Sequence, residues 1–196
     1  MQIQTFVFFG QVGSGKGTQV ELLRKYLKDN NIVSDILYTS TGVEFRKLVE
    51  GGNYTGKIVK ESLEKGFLQP NFLTTSLFTN ILVNGMKEDT CLMADGYPRT
   101  VPQSEAFESM MEFFGRENIK VIYIELSEEE AMKRNLLRGR SDDTEEGLRR
   151  RFNEYKNNFI PAMNYFKEKD GYEILTINGE QSVEAVHGDI IKALGY

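Results

Sequence analysis

The stretch Phe6-Val-Phe-Phe-Gly-Gln-Val-Gly-Ser-Gly-Lys-Gly-Thr-Gln19 constrains the fold more than any other part of the chain. Phe6 to Phe9 has no polar break, which predicts a strand covered on both faces. Gly10, Gly13, Gly15 and Gly17 allow a sharp turn and a close approach of backbone to ligand, and Lys16 adds a point charge. Val20, Leu23 and Leu27 recur at helical spacing, so residues 15–29 predict an amphipathic helix. Ile36-Leu-Tyr38 reads as the next strand. Strand, loop, helix, strand is a βα unit, and it favours a parallel sheet. A glycine-rich turn between a strand and a helix N-terminus can cradle phosphate with its N–H groups. Gly10-x4-Gly15-Lys16 fits the P-loop spacing, but Gly17 stands where that pattern has Ser or Thr, and the hydroxyl comes one residue later at Thr18.

At 196 residues the chain fits one domain with insertions. Its apolar fraction of 40% and charged fraction of 27% are those of a globular protein. A diffuse net charge of −5 argues against nucleic acid as the main partner. It leaves nucleotides open, since a local basic pocket suffices. The single Cys91 rules out a disulfide framework or a cysteine-based zinc site. No signal peptide or long apolar span is readable, so no membrane partner and a cytoplasmic setting are expected.

Further along, Ser40-Thr-Gly-Val-Glu-Phe-Arg46 puts hydroxyls, a glycine and an arginine after a strand, a pattern that can cap a helix or bind an anion. Gly51-Gly52 interrupts the chain, and Thr55 to Lys65 predicts a helix. Phe72, Leu73, Leu77, Ile81 and Leu82 form a helical apolar stripe. Thr90-Cys-Leu-Met-Ala-Asp95 is an apolar strand with a carboxylate at its tip, followed by Gly96-Tyr-Pro-Arg99 and Thr100-Val-Pro-Gln103. Such a carboxylate beside a P-loop is placed for a magnesium shell. Val121 to Leu126 is another strand, and Ser127-Glu-Glu-Glu130 has the form of a capping box. Arg134 and Arg138 share a helix face. Glu145 to Asn157 is helical, with Pro161 opening a further turn. Glu173 to Ile177 is the last strand. Val183, Val186, Ile190 and Leu194 stripe the final helix, with His187 at its edge.

Gly-x-x-Gly-x-Gly-Lys-Gly-Thr resembles the loop of adenylate kinases and their nucleoside monophosphate kinase relatives. The Ser40-Thr-Gly-x-x-x-Arg46, Gly66-Phe-Leu-Gln-Pro70 and Asp95-Gly-Tyr-Pro-Arg-Thr-x-x-Gln103 stretches match that family in the same order. The resemblance implies an α/β P-loop three-layer sandwich: a five-stranded parallel sheet flanked by helices. The core would be residues 1–40, 71–137 and 145–196, with an acceptor-binding lobe at 41–70 and a short lid at 138–144. The implied reaction is phosphoryl transfer from Mg·ATP to AMP, giving two ADP, with ATP, AMP and ADP as the partners of a monomer and Mg2+ as the cofactor.

By the same resemblance Gly13, Ser14, Gly15, Lys16, Gly17, Thr18, Arg138 and Gln181 bind ATP. Thr41, Arg46, Phe67, Leu68, Gln69, Gly96, Tyr97, Pro98, Arg99, Gln103, Arg140 and Arg151 bind AMP, with Thr41 facing the base and Arg46 and Arg99 the phosphate. Lys16, Arg99, Arg140 and Arg151 carry catalysis, and Asp95 serves the magnesium shell through water. Asp142 and Asp143 orient the lid arginines, while Arg149 and Arg150 face solvent. The lid is a stub with no room for a zinc insert. Val12 replaces a usual Pro, Val43 a usual Asp and Tyr97 a usual Phe. A UMP/CMP kinase is the alternative within the family, though Thr41 and Gln103 favour AMP. A P-loop regulatory switch is the alternative outside it, and the second phosphate site argues against that.

Overall fold

The computed structural model describes residues 4–138 and 144–196. Five parallel strands form one sheet in the order β2-β3-β1-β4-β5. They are β1 (Thr5–Phe9), β2 (Asp35–Ser40), β3 (Thr90–Asp95), β4 (Ile119–Glu125) and β5 (Tyr172–Asn178). Helices cover both faces. The unbroken apolar run of β1 follows from this layering. Phe6 and Phe8 point into one core cluster with Val20, Leu23 and Leu27 of α1 (Lys16–Asp29). Val7 and Phe9 point into the opposite cluster with Phe78 of α4 (Asn71–Gly85) and Phe107 of α5 (Val101–Phe113). These four side chains of β1 are at most 2% exposed. Burial of each stabilises the fold by about 1.5–3 kcal/mol.

The chain moves outward from β1 to β2, returns to β3 beside β1, and crosses to β4 on the other side. In an open α/β sheet this reversal leaves a crevice outside the carboxyl ends of the strands. The loop after β1 and Asp95 at the end of β3 both open there, with Phe8 and Asp95 in register. Between β2 and α4 come α2 (Thr41–Glu50) and α3 (Tyr54–Glu64), packed on each other. Asn53 caps α3 by accepting from Gly56 N at 2.8 Å.

Three local features differ from the sequence expectations. Helix α5 is a full element that the motif Thr100-Val-Pro-Gln103 begins, with Thr100 accepting from Gln103 N. At α6 (Glu128–Arg138), Ser127 Oγ accepts from Glu130 N at 3.3 Å, but the Glu130 carboxylate turns to Arg134 instead of back to the cap. Glu180 takes its place and accepts from Ser127 N. Finally, α7 stops at Glu154 (Glu145–Glu154) and gives way to a π-helical turn, Tyr155–Phe159, before α8 (Ile160–Asn164). Pro161 has no N–H for the carbonyl one turn back, and its ring crowds that carbonyl. The wider turn relieves this: the Ile160 N–H bonds Tyr155 O, five residues away. The chain then runs through Tyr165–Glu168 and β5 to α9 (Val183–Ala193).

Candidate active site

The phosphate loop is pinned from beneath. The buried Gln11 amide donates to Leu126 O at 2.6 Å and to Ser127 O at 3.0 Å, fixing the loop to the end of β4. Val12 packs against Leu126, Ala131, Leu148 and Phe152, so an apolar contact with α6 and α7 stands at the position where Pro is usual. Gly13 has φ +87°, and a Cβ there would lie 2.4 Å from Asn135 Nδ2. Only glycine fits so close to α6. Asn135 is buried with its Oδ1 unpaired, as is Ser14 Oγ. Beside Gly15 and Gly17 the space is open. Thr18 is exposed on the first turn of α1.

Lys16 Nζ donates to Gly10 O at 2.7 Å, folded back over the loop. Enclosure by protein pulls its pKa down; the Asp95 charge opposes this, and Arg99 and Arg138 add to it. Lys16, Asp95, Arg99 and Arg138 therefore share one electrostatic neighbourhood, although they come from three separate stretches of the chain. Tyr38 Oη donates to Asp95 Oδ2 at 3.3 Å.

The second half of the site centres on Arg99. Its Nε donates to Gly96 O at 2.6 Å and its Nη2 to Thr41 Oγ1 at 3.1 Å. Thr41 Oγ1 itself donates to Gly96 O at 2.8 Å. Gly96, at φ +78°, has no room for a side chain: a Cβ would sit 2.8 Å from both Arg99 Nη2 and Thr41 Oγ1. Gln103 is 1% exposed, and its amide accepts from Arg99 N at 2.9 Å and donates to Asn71 Oδ1 at 2.9 Å. Burial lowers the Arg99 pKa, Asp95 raises it and Arg151 lowers it. Arg151, half-buried on α7, is thus near enough to interact with Arg99.

Other expected site residues are placed less directly. Tyr97 faces the core, stacked on Phe78 at 4.1 Å with its hydroxyl on Thr75, so residues 96–98 offer the crevice backbone. Burial pushes the Tyr97 phenol up to about 12. Pro98 is buried and Leu68 half-buried. Arg46 is exposed on α2. Gln69 is 7% exposed and donates to Ser62 Oγ, while Phe67 is 49% exposed. Gln181 donates to Asn178 O and to Asp189. Arg140, Asp142 and Asp143 lie outside the described residues.

Arg149 is exposed and paired with Glu145, as expected of a solvent-facing residue. Arg150 departs from that expectation. It is half-buried, with its guanidinium 5.9 Å over the Phe67 ring, because Gly147 of α7 packs against the backbone at Gly66. Arg134, which no sequence motif marks, donates to Gly179 O at 3.0 Å and ties α6 to the loop after β5. Asn71 and Tyr38 are likewise unmarked. Their partners lie in distant motifs, so no local spacing marks them. Nothing in the structure explains Val43.

A glycine loop between β1 and α1, and an arginine cluster beside the carboxylate at the end of β3, define a P-loop α/β protein. Comparison with known proteins narrows this class. The adenylate kinase family profile matches residues 8–171. An adenylate kinase of Bacteroides fragilis is 33% identical over 193 residues, covering 96% of both chains. That of Corynebacterium diphtheriae is 34% identical over 189 residues, covering 96% of this chain and 98% of its own. One from Prochlorococcus marinus is 33% identical over 184 residues, covering 94% of both. The chain belongs to the adenylate kinase family.

Proposed function

We infer that the chain catalyses reversible phosphoryl transfer from ATP to AMP, giving two molecules of ADP. Family membership supports the reaction. The observation that carries it to this site is the convergence of Lys16 and Arg99 on Asp95. Arg99 supplies a second cation on the far side of that carboxylate, where an acceptor phosphate would sit. Phosphoryl transfer needs little covalent help; it needs two nucleotides held in line and charge neutralised on the moving group.

In this mechanism the loop amides from Gly13 to Thr18 cradle the donor phosphates. Lys16 leaves the Gly10 carbonyl and swings onto them. Arg138 and Gln181 complete the donor site. Arg99 and Arg46 hold the acceptor phosphate, and Arg140 and Arg151 bridge the two nucleotides and neutralise the transferring group. Thr41, Gly96 and Gln103 set the Arg99 position. Phe67, Leu68 and Gln69, with the backbone of Tyr97 and Pro98, line the acceptor base. The division into a core, a lobe at 41–70 and a stub lid at 138–144 is part of the proposal, as is exclusion of water when lobe and lid close.

Asp95 suits Mg2+, a hard cation that takes oxygen ligands and keeps most of its water. Its carboxylate ends β3 and accepts from the Tyr38 hydroxyl. The ion would neutralise phosphate charge when bound with ATP. Both nucleotide sites come from one chain, so a monomer suffices. Among the described residues no helix is long and apolar enough to cross a membrane. A cytoplasmic setting suits the free, buried Cys91. The test is binding of a bisubstrate mimic that joins two adenosines through phosphates. It should bind far more tightly than ATP, and equal affinity would contradict a two-nucleotide site.

A further inference from the structure

Phe159, at the end of the π-helical turn, is used by none of the motifs described above. Its ring lies under the Arg99 guanidinium, with Cζ 5.4 Å from the ring centroid. That is within the range of a cation–π contact. The ring belongs to none of the three core clusters among the described residues, whereas its neighbour Ile160 packs on one of them. Core packing therefore does not account for an aromatic side chain here. Tyr155 anchors the turn by donating to Tyr123 Oη of β4 at 3.0 Å, and its ring lies 5.8 Å from that of Phe159. The extra residue of the π turn re-aims the chain after Arg151, so one segment presents both a second arginine and the ring to Arg99.

Arg99 forms no ion pair with a carboxylate among the described residues. The groups that touch it are the Gly96 carbonyl, the Thr41 hydroxyl and the Phe159 face, while Asp95 acts on it through space. This matters for an anion site. A carboxylate partner would hold the guanidinium but repel an incoming phosphate. The negative face of an aromatic ring holds the cation through its quadrupole and carries no net charge. It also occupies one side of the guanidinium plane, leaving the Nη edge for a ligand.

We propose that Phe159 is a positioning residue for the acceptor: its ring holds the Arg99 guanidinium in the orientation that receives the phosphate of a nucleoside monophosphate. The proposal rests on the assignment of Arg99 to the acceptor phosphate. Five variants at Phe159 and one at Arg99 test both separately, with KM for AMP, KM for ATP and melting temperature as readouts. Phe159→Leu keeps apolar volume but loses the ring, and should raise KM for AMP about tenfold with KM for ATP unchanged. Phe159→Tyr keeps the π face and should retain the parent KM for AMP. Replacing Phe159 with mono-, di- and trifluorophenylalanine drains the ring face with little change in size. KM for AMP should then climb step by step at constant melting temperature. Arg99→Met should raise KM for AMP more than any of these. A flat fluorination series beside a strong Arg99→Met effect would overturn the role of Phe159 alone. An unchanged KM for AMP in Arg99→Met would overturn the assignment of Arg99, and the proposal with it. Equal losses for ATP and AMP in Phe159→Leu would show a structural effect and also overturn the proposal.

Discussion

The Thr41 hydroxyl joins β2, α2 and the Arg99 loop, and Thr41→Val removes it with almost no change of shape. Two hydrogen bonds go: the donation to Gly96 O at 2.8 Å and the acceptance from Arg99 Nη2 at 3.1 Å. The side chain is 2% exposed, so water does not replace the hydroxyl. A neutral bond contributes about 0.5–1.5 kcal/mol and one to a charged group about 1.5–3 kcal/mol. Gly96 O keeps its bond from Arg99 Nε, so no buried carbonyl is orphaned. The low end of the sum applies, about 2 kcal/mol of stability. For a chain of this size that is a fall in melting temperature of about 4–8 °C. Functionally the guanidinium loses one of its restraints, so KM for AMP should rise while KM for ATP stays. Calorimetry and initial rates with each nucleotide varied in turn measure both effects. A Thr41→Val protein with parent melting temperature and parent KM for AMP would refute the claim that this hydroxyl fixes Arg99.

Lys16→Met should lower kcat by about a hundredfold or more with the fold intact, because it removes charge stabilisation made in the transition state; circular dichroism and single-turnover rates check this. Gly13→Ala should destabilise the protein and weaken ATP binding, since its Cβ would fall 2.4 Å from Asn135 Nδ2 at a positive φ; titration with ATP and thermal melting read the two effects. Cys91 gives a pH dependence. Burial pushes the folded thiol up to about 12 from 9.0. The unfolded chain thus holds fewer protons between these values, and stability falls as pH rises, at up to about 1.4 kcal/mol per pH unit for this group. Cys91→Ala should flatten the slope of stability against pH between 9.0 and about 12, as followed by urea unfolding at each pH.

Much of this fold was readable because local signals agreed. The apolar runs at Phe6–Phe9 and Thr90–Asp95, the glycine loop and the helical stripe of Val20, Leu23 and Leu27 each admit one arrangement, and together they require a parallel layered sheet. The candidate site residues stand out in the sequence for the same reason: phosphate sites favour glycine, lysine and arginine at fixed spacing. What stayed hidden depends on contacts between distant segments. Gln103 looks like a free amide in the sequence, yet Asn71 and the Arg99 N–H occupy it. Tyr97 sits inside a site motif but its ring belongs to the core. Arg150 looks like a surface charge until α7 meets the backbone at Gly66. The π turn had a marker in Pro161, but the direction in which it turns Phe159 is set by the Tyr155–Tyr123 bond across the sheet. Val12 has its explanation in the same way, through a small cluster with α6 and α7 that no local pattern announces.

The central claim is that two nucleotides meet across Asp95, one on the Lys16 loop and one on Arg99, and that the second is AMP. Initial rates of ADP formation from Mg·ATP with AMP, CMP, UMP and GMP as acceptors test it most directly. AMP should be strongly preferred, with little ADP formed when no acceptor is present. A preference for UMP or CMP, or ADP formation independent of any acceptor, would contradict it.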